Sequence, residues 1–222
     1  MTELAIEVLD VRPQEHVASP HLLFRLRAQE TSGEVVHAIA LRCQLRIEPQ
    51  RRRYDPREQA GLTDLFGTSE RYSTTLKPFL WTHATAMVQG FRGSTEFDLP
   101  VACTYDFDVS ATKYLHALRG GDVPLVLLFS GTVFTRGTSG FAAEQLSWSI
   151  EAPCRLPVSS WRQLMDLYFP GSGWIRLERD TIDALGRFRS ARGLTSWEQT
   201  FAALLPPEQA LARAPDDRAR AS

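Results

Sequence analysis

From Leu125 to Phe129 every residue is apolar, so this stretch has no side that water can occupy. It predicts a central strand within Pro124–Phe134, buried on both faces, between a turn at Gly120, Gly121 and Asp122 and a looser one at Arg136–Gly140. Ser130, Gly131 and Thr132 fall inside it, which points to a bulge or a close backbone approach. Elsewhere in the first two thirds of the chain apolar and polar residues alternate. Leu4, Ile6 and Val8 mark a strand over residues 3–11. Leu22, Phe24, Leu26 and Ala28 mark another, opposite Leu23, Arg25, Arg27 and Gln29, with a hairpin turn at Thr31–Gly33. Val35, His37, Ile39, Leu41, Cys43, Leu45 and Ile47 share one face of a long strand, and Arg42, Gln44, Arg46 and Glu48 the other. A second long alternation runs through Phe97, Leu99, Val101, Cys103, Tyr105, Phe107 and Val109, opposite Glu96, Asp98, Thr104, Asp106 and Asp108. Arginines of the first and carboxylates of the second are expected to pair across strands. Strand character returns around Leu80, Trp81 and Val88, and over residues 141–156, where Leu146, Trp148, Ile150, Ala152, Cys154 and Leu156 alternate.

Helical signals are short until late in the chain. Asp55, Pro56 and Glu58 have capping-box spacing within a polar insertion after Pro49, and Ser110 is expected to cap a short helix carrying Tyr114, Leu115 and Leu118. After Pro157 the period changes: Trp161, Leu164, Met165 and Tyr168 lie on one stripe, Ile182, Leu185 and Phe188 on a second, and Thr195 with Glu198 opens a third helix. Strands separated by turns, without interleaved helices, predict a mainly β (α+β) chain. The expected architecture is an antiparallel β-sandwich over residues 1–157 with a C-terminal helical cap, the extension 158–205, packed on it. Residues 206–222, rich in Pro, Ala, Arg and Asp, predict a disordered tail.

With 222 residues, 43% of them hydrophobic, the chain can bury one substantial core. A net charge of -1 provides no global field for nucleic acid or an anionic membrane surface. No apolar run approaches the ~20 residues that span a bilayer, and the acidic, alternating start differs from a signal peptide, so a cytoplasmic location is expected. Cys43, Cys103 and Cys154 are far apart and read as buried thiols. None of the five histidines has metal-site spacing. Asp106 and Asp108 have the spacing of a cation-binding pair, but are expected on the outer face of a strand without a third oxygen ligand. Gly171-Ser172-Gly173 lacks the Lys-Ser/Thr ending of a phosphate loop, and no nucleophile elbow is present. No catalytic, cofactor-binding or metal residue is therefore assigned.

Two clusters remain as binding candidates. Arg51, Arg52 and Arg53 beside Tyr54 could grip an anion. Trp161, Tyr168, Phe169, Trp174 and Trp197 either cap the sandwich or form a docking surface for a protein partner. The stretches RRRYDPREQ, LPVACTYDFDVSATKYL, PLVLLFSGTVF and WRQLMDLYFPGSGWIRL, with the closing SWEQTFAALL, resemble an uncharacterised bacterial family of about this length. Members of the family they resemble are often encoded beside high-affinity nickel-iron hydrogenase genes. The resemblance implies a genomic neighbourhood and, through it, a non-catalytic assembly or accessory role for a redox metalloenzyme; it supplies no catalytic residues. The alternative is a small-molecule-binding protein or enzyme with a pocket between sandwich and helices, using Arg51, Arg53, His37 or Asp106.

Overall fold

A computed structural model describes residues 3–106, 109–137 and 140–206, and its first part is an antiparallel sandwich. Strands β1 (Leu4–Gln14), β2 (His21–Glu30) and β5 (Ser94–Ala102) form a sheet in the order β1-β2-β5. The facing sheet has the order β4-β3-β6-β7, from β4 (Phe79–Arg92), β3 (Val35–Ile47), β6 (Asp122–Gly137) and β7 (Gly140–Gln145). A last strand, β8 (Glu151–Pro157), pairs with the first half of β6, and β7 pairs with the second. Leu22, Phe24 and Leu26 of β2 share one core with Ile39, Cys43 and Leu45 of β3 and Leu125 and Leu127 of β6. Each large aliphatic or aromatic side chain so buried contributes about 1.5–3 kcal/mol.

The all-apolar run of β6 is buried on one face, not two. Leu125, Leu127 and Phe129 enter the core, while Val126 and Leu128 are half-buried on the outside. Val126 lies in register between Arg46 and Pro153, and Leu128 between Gln44 and Glu151. Long polar neighbours with aliphatic stems can shelter an apolar position without a second layer.

Three further alternations break where the backbone does. In β3 a register shift between Val36 and Ala38 turns Val36 inward, 1% exposed, and leaves His37 outside rather than on the apolar face. Gly90 of β4 makes room for it: a Cβ there would stand 2.8 Å from the His37 carbonyl oxygen. The second long alternation is a strand only as far as Ala102, and Val109 is exposed. Leu146 to Ile150 turn between β7 and β8, held by the Ser147 and Ser149 hydroxyls 2.8 Å apart, and Trp148 is 91% exposed.

The expected pairing of the two long strands also fails, because β3 and β5 belong to different sheets. The carboxylates of β5 find arginines on β2 instead. Arg27 bridges Glu96 (2.9 Å) and Glu7 (3.1 Å), and Arg25 reaches Asp98 (3.0 Å). The charges thus form a neutral ladder across the outer face of the three-stranded sheet.

Helices gather where β3 ends and β4 and β6 begin. Helices α1 (Pro56–Gly61), α2 (Thr63–Phe66) and α3 (Tyr72–Thr75) lie in the β3–β4 connection, α4 (Ser110–Ala117) in the β5–β6 connection, and α5 (Val158–Tyr168) directly follows β8. The capping box forms as expected: Asp55 accepts from the amides of Arg57 (2.7 Å) and Glu58 (2.9 Å). Trp161, Leu164 and Met165 of α5 are buried in the sandwich core. At the opposite end Glu30, 4% exposed, accepts from the Ser32 hydroxyl and the Ser32 and Gly33 amides, pinning the β2–β3 turn. Burial raises the pKa of Glu30, but these hydrogen bonds outweigh it and leave it lowered.

The chain divides into two compact units, Met1–Ile175 and Arg176–Ser222. Helices α6 (Arg179–Ala191) and α7 (Trp197–Ala202) belong to the second. Apart from Pro206, the tail expected over 206–222 lies outside the described residues.

Gly131 is paired with Leu41 in mid-strand, with φ of 149°. A Cβ there would fall 2.1 Å from the Ala40 carbonyl oxygen. Replacing Gly131 by Ala is expected to lower stability in urea by about 2–4 kcal/mol through strain and displaced strands; an unchanged unfolding midpoint would refute this account of β6.

Candidate docking surface

The arginine cluster divides on folding. Arg52 turns inward: its guanidinium meets Glu58 at 2.6 Å and donates to the carbonyls of Gly120 (2.7 Å) and Asp122 (2.9 Å). Glu58, 3% exposed, also accepts from the Arg119 amide at 2.7 Å. Together they tie the insertion to the start of β6. Tyr54 lies beneath Arg52, with the cation 5.7 Å from its ring centre, and donates to the Pro49 carbonyl at 2.7 Å. Its hydroxyl also meets that of Tyr114 at 2.8 Å. Arg51 is exposed and paired with Glu48 at 3.2 Å, beside a cleft of about 260 Å³ that Cys154 and Arg155 also line. Arg53 is exposed. Of the expected anion site, Arg51 and Arg53 thus face solvent, while Arg52 and Tyr54 are held by the fold.

The aromatic cluster divides as well. Trp161 is 2% exposed and packs edge-on against Tyr105 with ring centres 5.6 Å apart. Tyr105 stacks on Phe169 at 5.6 Å and 23°, and Phe169 meets Trp174 edge-on at 6.0 Å. The rings form a continuous ladder from core to surface. Its last rung, Trp174, is 65% exposed, yet its backbone forms a parallel bridge with Asp106. Ile175 beside it is equally exposed at 65%. Tyr168 is fastened separately, donating to the carbonyl of Val17 (3.0 Å) or Gln14 (3.1 Å). Trp197 lies in the second unit, under the Arg189 guanidinium at 4.5 Å.

Other candidates take ordinary places. Asp106 sits in the loop after β5, not on the outer face of a strand, and its amide donates to Thr104 at 3.2 Å; Asp108 lies outside the described residues. Gly171 has φ of 62° in the turn after α5, where the Ser172 amide donates to Phe169 at 3.1 Å. Burial pushes the thiols of Cys43, Cys103 and Cys154 up to about 12, and all three are free. His116 packs against Tyr105 at 6.0 Å, and burial followed by the nearby Arg162 charge lowers its pKa. Sequence reading missed Trp148, assigned to a strand by its alternation. Its serine neighbours, both able to bond within a turn, were the available signal.

The model of DUF6084, a family of unknown function, matches residues 1–213. No curated protein matches the chain. Among solved structures, a late embryogenesis abundant (LEA) protein is similar at 12% identity and a TM-score of 0.36, with 73% of this chain and 75% of that one covered. A beta-glucosidase from Kluyveromyces marxianus is similar at 5% identity and a TM-score of 0.25, covering 70% of this chain but 15% of its own. Likenesses this distant carry no argument.

The paired tyrosines make an alkaline test. Burial, then the neighbouring hydroxyl, raises the pKa of Tyr54, and burial raises Tyr114 to about 12. Unfolded tyrosine ionises near ~10, so stability is complete below that pH and falls as pH rises through the interval up to the folded values. Denaturant melts should show this loss, and a Tyr54→Phe, Tyr114→Phe double variant should make it shallower, the remainder coming from groups such as the Cys43, Cys103 and Cys154 thiols that burial also raises. An equal slope in that variant would count against the account.

Proposed function

This chain belongs to DUF6084, a family of unknown function, and we propose that it is a non-catalytic protein-binding module that docks through the aromatic surface ending at Trp174. The observation that carries this is the combination of exposure and support at one indole. Trp174 is 65% open to solvent, while Phe169 packs against its ring and the bridge to Asp106 holds its backbone. Such a side chain loses little freedom when a partner covers it, which is why rigid aromatics dominate binding energy at interfaces. Ile175 extends the apolar contact. The sequence resemblance supports a redox metalloenzyme, such as a nickel-iron hydrogenase, as the enzyme whose assembly the module assists. Three free cysteines suit a reducing, cytoplasmic location, and no helix among the described residues is long and apolar enough to cross a membrane.

Two tryptophans on one ladder separate binding from folding. Trp174→Ala should change stability by less than about 0.5 kcal/mol, whereas Trp161→Ala should cost about 3–5 kcal/mol by opening a cavity in the core. Calorimetry against purified hydrogenase subunits should show Trp174→Ala weakening binding about 30-fold, as expected of a ~2 kcal/mol anchor. No binding by the unaltered protein would remove the hydrogenase reading; binding unaffected by Trp174→Ala would remove the proposed surface.

A further inference from the structure

Helix α6 is amphipathic, but its apolar stripe is incompletely covered. None of its residues is buried; Ile182 is 44% exposed, and Leu185 and Phe188 are half-buried. The chain turns at Gly193, with φ of 62°, and α7 meets α6 where Arg189 lies over Trp197. Helix α7 leaves Phe201 40% exposed, and Leu204 just after it is 51% exposed. Units of about 60 residues or fewer bury a small share of their surface and are marginally stable alone, so an oligomeric partner, a disulfide or a metal adds what their own core does not. The second unit contains no cysteine, and no cluster able to hold a metal occurs among the described residues.

The sequence of α6 and its flanks indicates the occupant, because it is self-complementary about Leu185. Ile182 mirrors Phe188, and Glu178 mirrors Arg192, so apolar stands opposite apolar and acid opposite base. Glu178 and Arg192 each lie two turns from Leu185, which sets them on the same stripe. Arg192 already lies along that stripe, with its guanidinium 4.5 Å over the Phe188 ring. Neither Glu178 nor Arg192 has an ion-pair partner in its own chain among the described residues. Asp183 and Arg187 also mirror one another, but they lie on the opposite side of the helix, at the spacing of a pair within one helix.

We infer that a second copy of this chain covers the stripe, forming a homodimer in which two α6 helices pack antiparallel about a twofold axis at Leu185. Leu185 then meets its own copy, Ile182 meets Phe188, and Glu178 meets Arg192 twice. A parallel pair would instead set Glu178 against Glu178 and Arg192 against Arg192. A twofold interface requires the same patch to complement itself, and α6 meets that requirement in both apolar and charged positions. The inference is independent of the Trp174 surface, which is measured by affinity for a different protein.

Light scattering and sedimentation velocity on the full chain test it. The unaltered protein should be a dimer and Leu185→Arg a monomer. Glu178→Arg and Arg192→Glu should each weaken the dimer at least about tenfold by setting like charges together. The double variant E178R/R192E should restore it, and this rescue guards against mistaking misfolding for lost contact. Circular dichroism melts should show the sandwich transition unmoved in all four variants. A monomeric unaltered chain, a dimer indifferent to Leu185→Arg, or a double variant no tighter than the single ones would each overturn the inference.

Discussion

The pairing of β3 with β6 brings two backbones so close at Gly131 that one added Cβ would lie 2.1 Å from the Ala40 carbonyl oxygen. Much of the first unit follows from that contact. It lets a 16-residue strand run unbroken, so that β6 holds β3 along one edge and both β8 and β7 along the other. Leu125, Leu127 and Phe129 then enter the core at a register set jointly by the two neighbouring strands β3 and β8. A slip of one residue would exchange them for Val126 and Leu128, which have polar neighbours in the sheet.

Electrostatics is organised by burial. On the outer face of the three-stranded sheet, carboxylates and arginines alternate in the open, where solvent screens them and they mainly disfavour wrong registers and added strands. Arg52 and Glu58 are different: their side chains are 10% and 4% exposed and share carbonyl and amide partners from the residues leading into β6. Removing one member of such a pair costs about 3–5 kcal/mol because the other remains buried and charged. The pair therefore fastens a polar insertion that has little apolar area of its own, and with Tyr54 and Tyr114 it closes one end of the sandwich.

The surfaces left over are unequal. One outer sheet face is neutralised by its own ion pairs, and the helix-bearing end is filled by interlocking aromatic rings. Against that background an open indole supported from below at Trp174, and a helix without a buried residue at α6, stand out because folding alone does not use them. Both are apolar, but their chemistry differs. Trp174 ends a rigid ladder suited to a foreign partner, whereas α6 carries charges arranged to meet their own mirror image.

Much of this was legible in the residues. Alternation located β2 and most of β3, the Asp55-Pro56-Glu58 spacing produced its capping box, and three-residue spacing marked the stripe of α6, because each depends on backbone geometry within a few residues. What the tertiary structure decided was where those periods break and what covers each face. The bulge at His37 depends on Gly90 in another strand, the end of β5 on its pairing with β2, the exposure of Trp148 on the turn joining two partners of β6. Identical aromatic residues became a core side chain at Trp161 and an open surface at Trp174. A period says which side a residue takes along its own element; only packing against distant chain decides whether that side is dry.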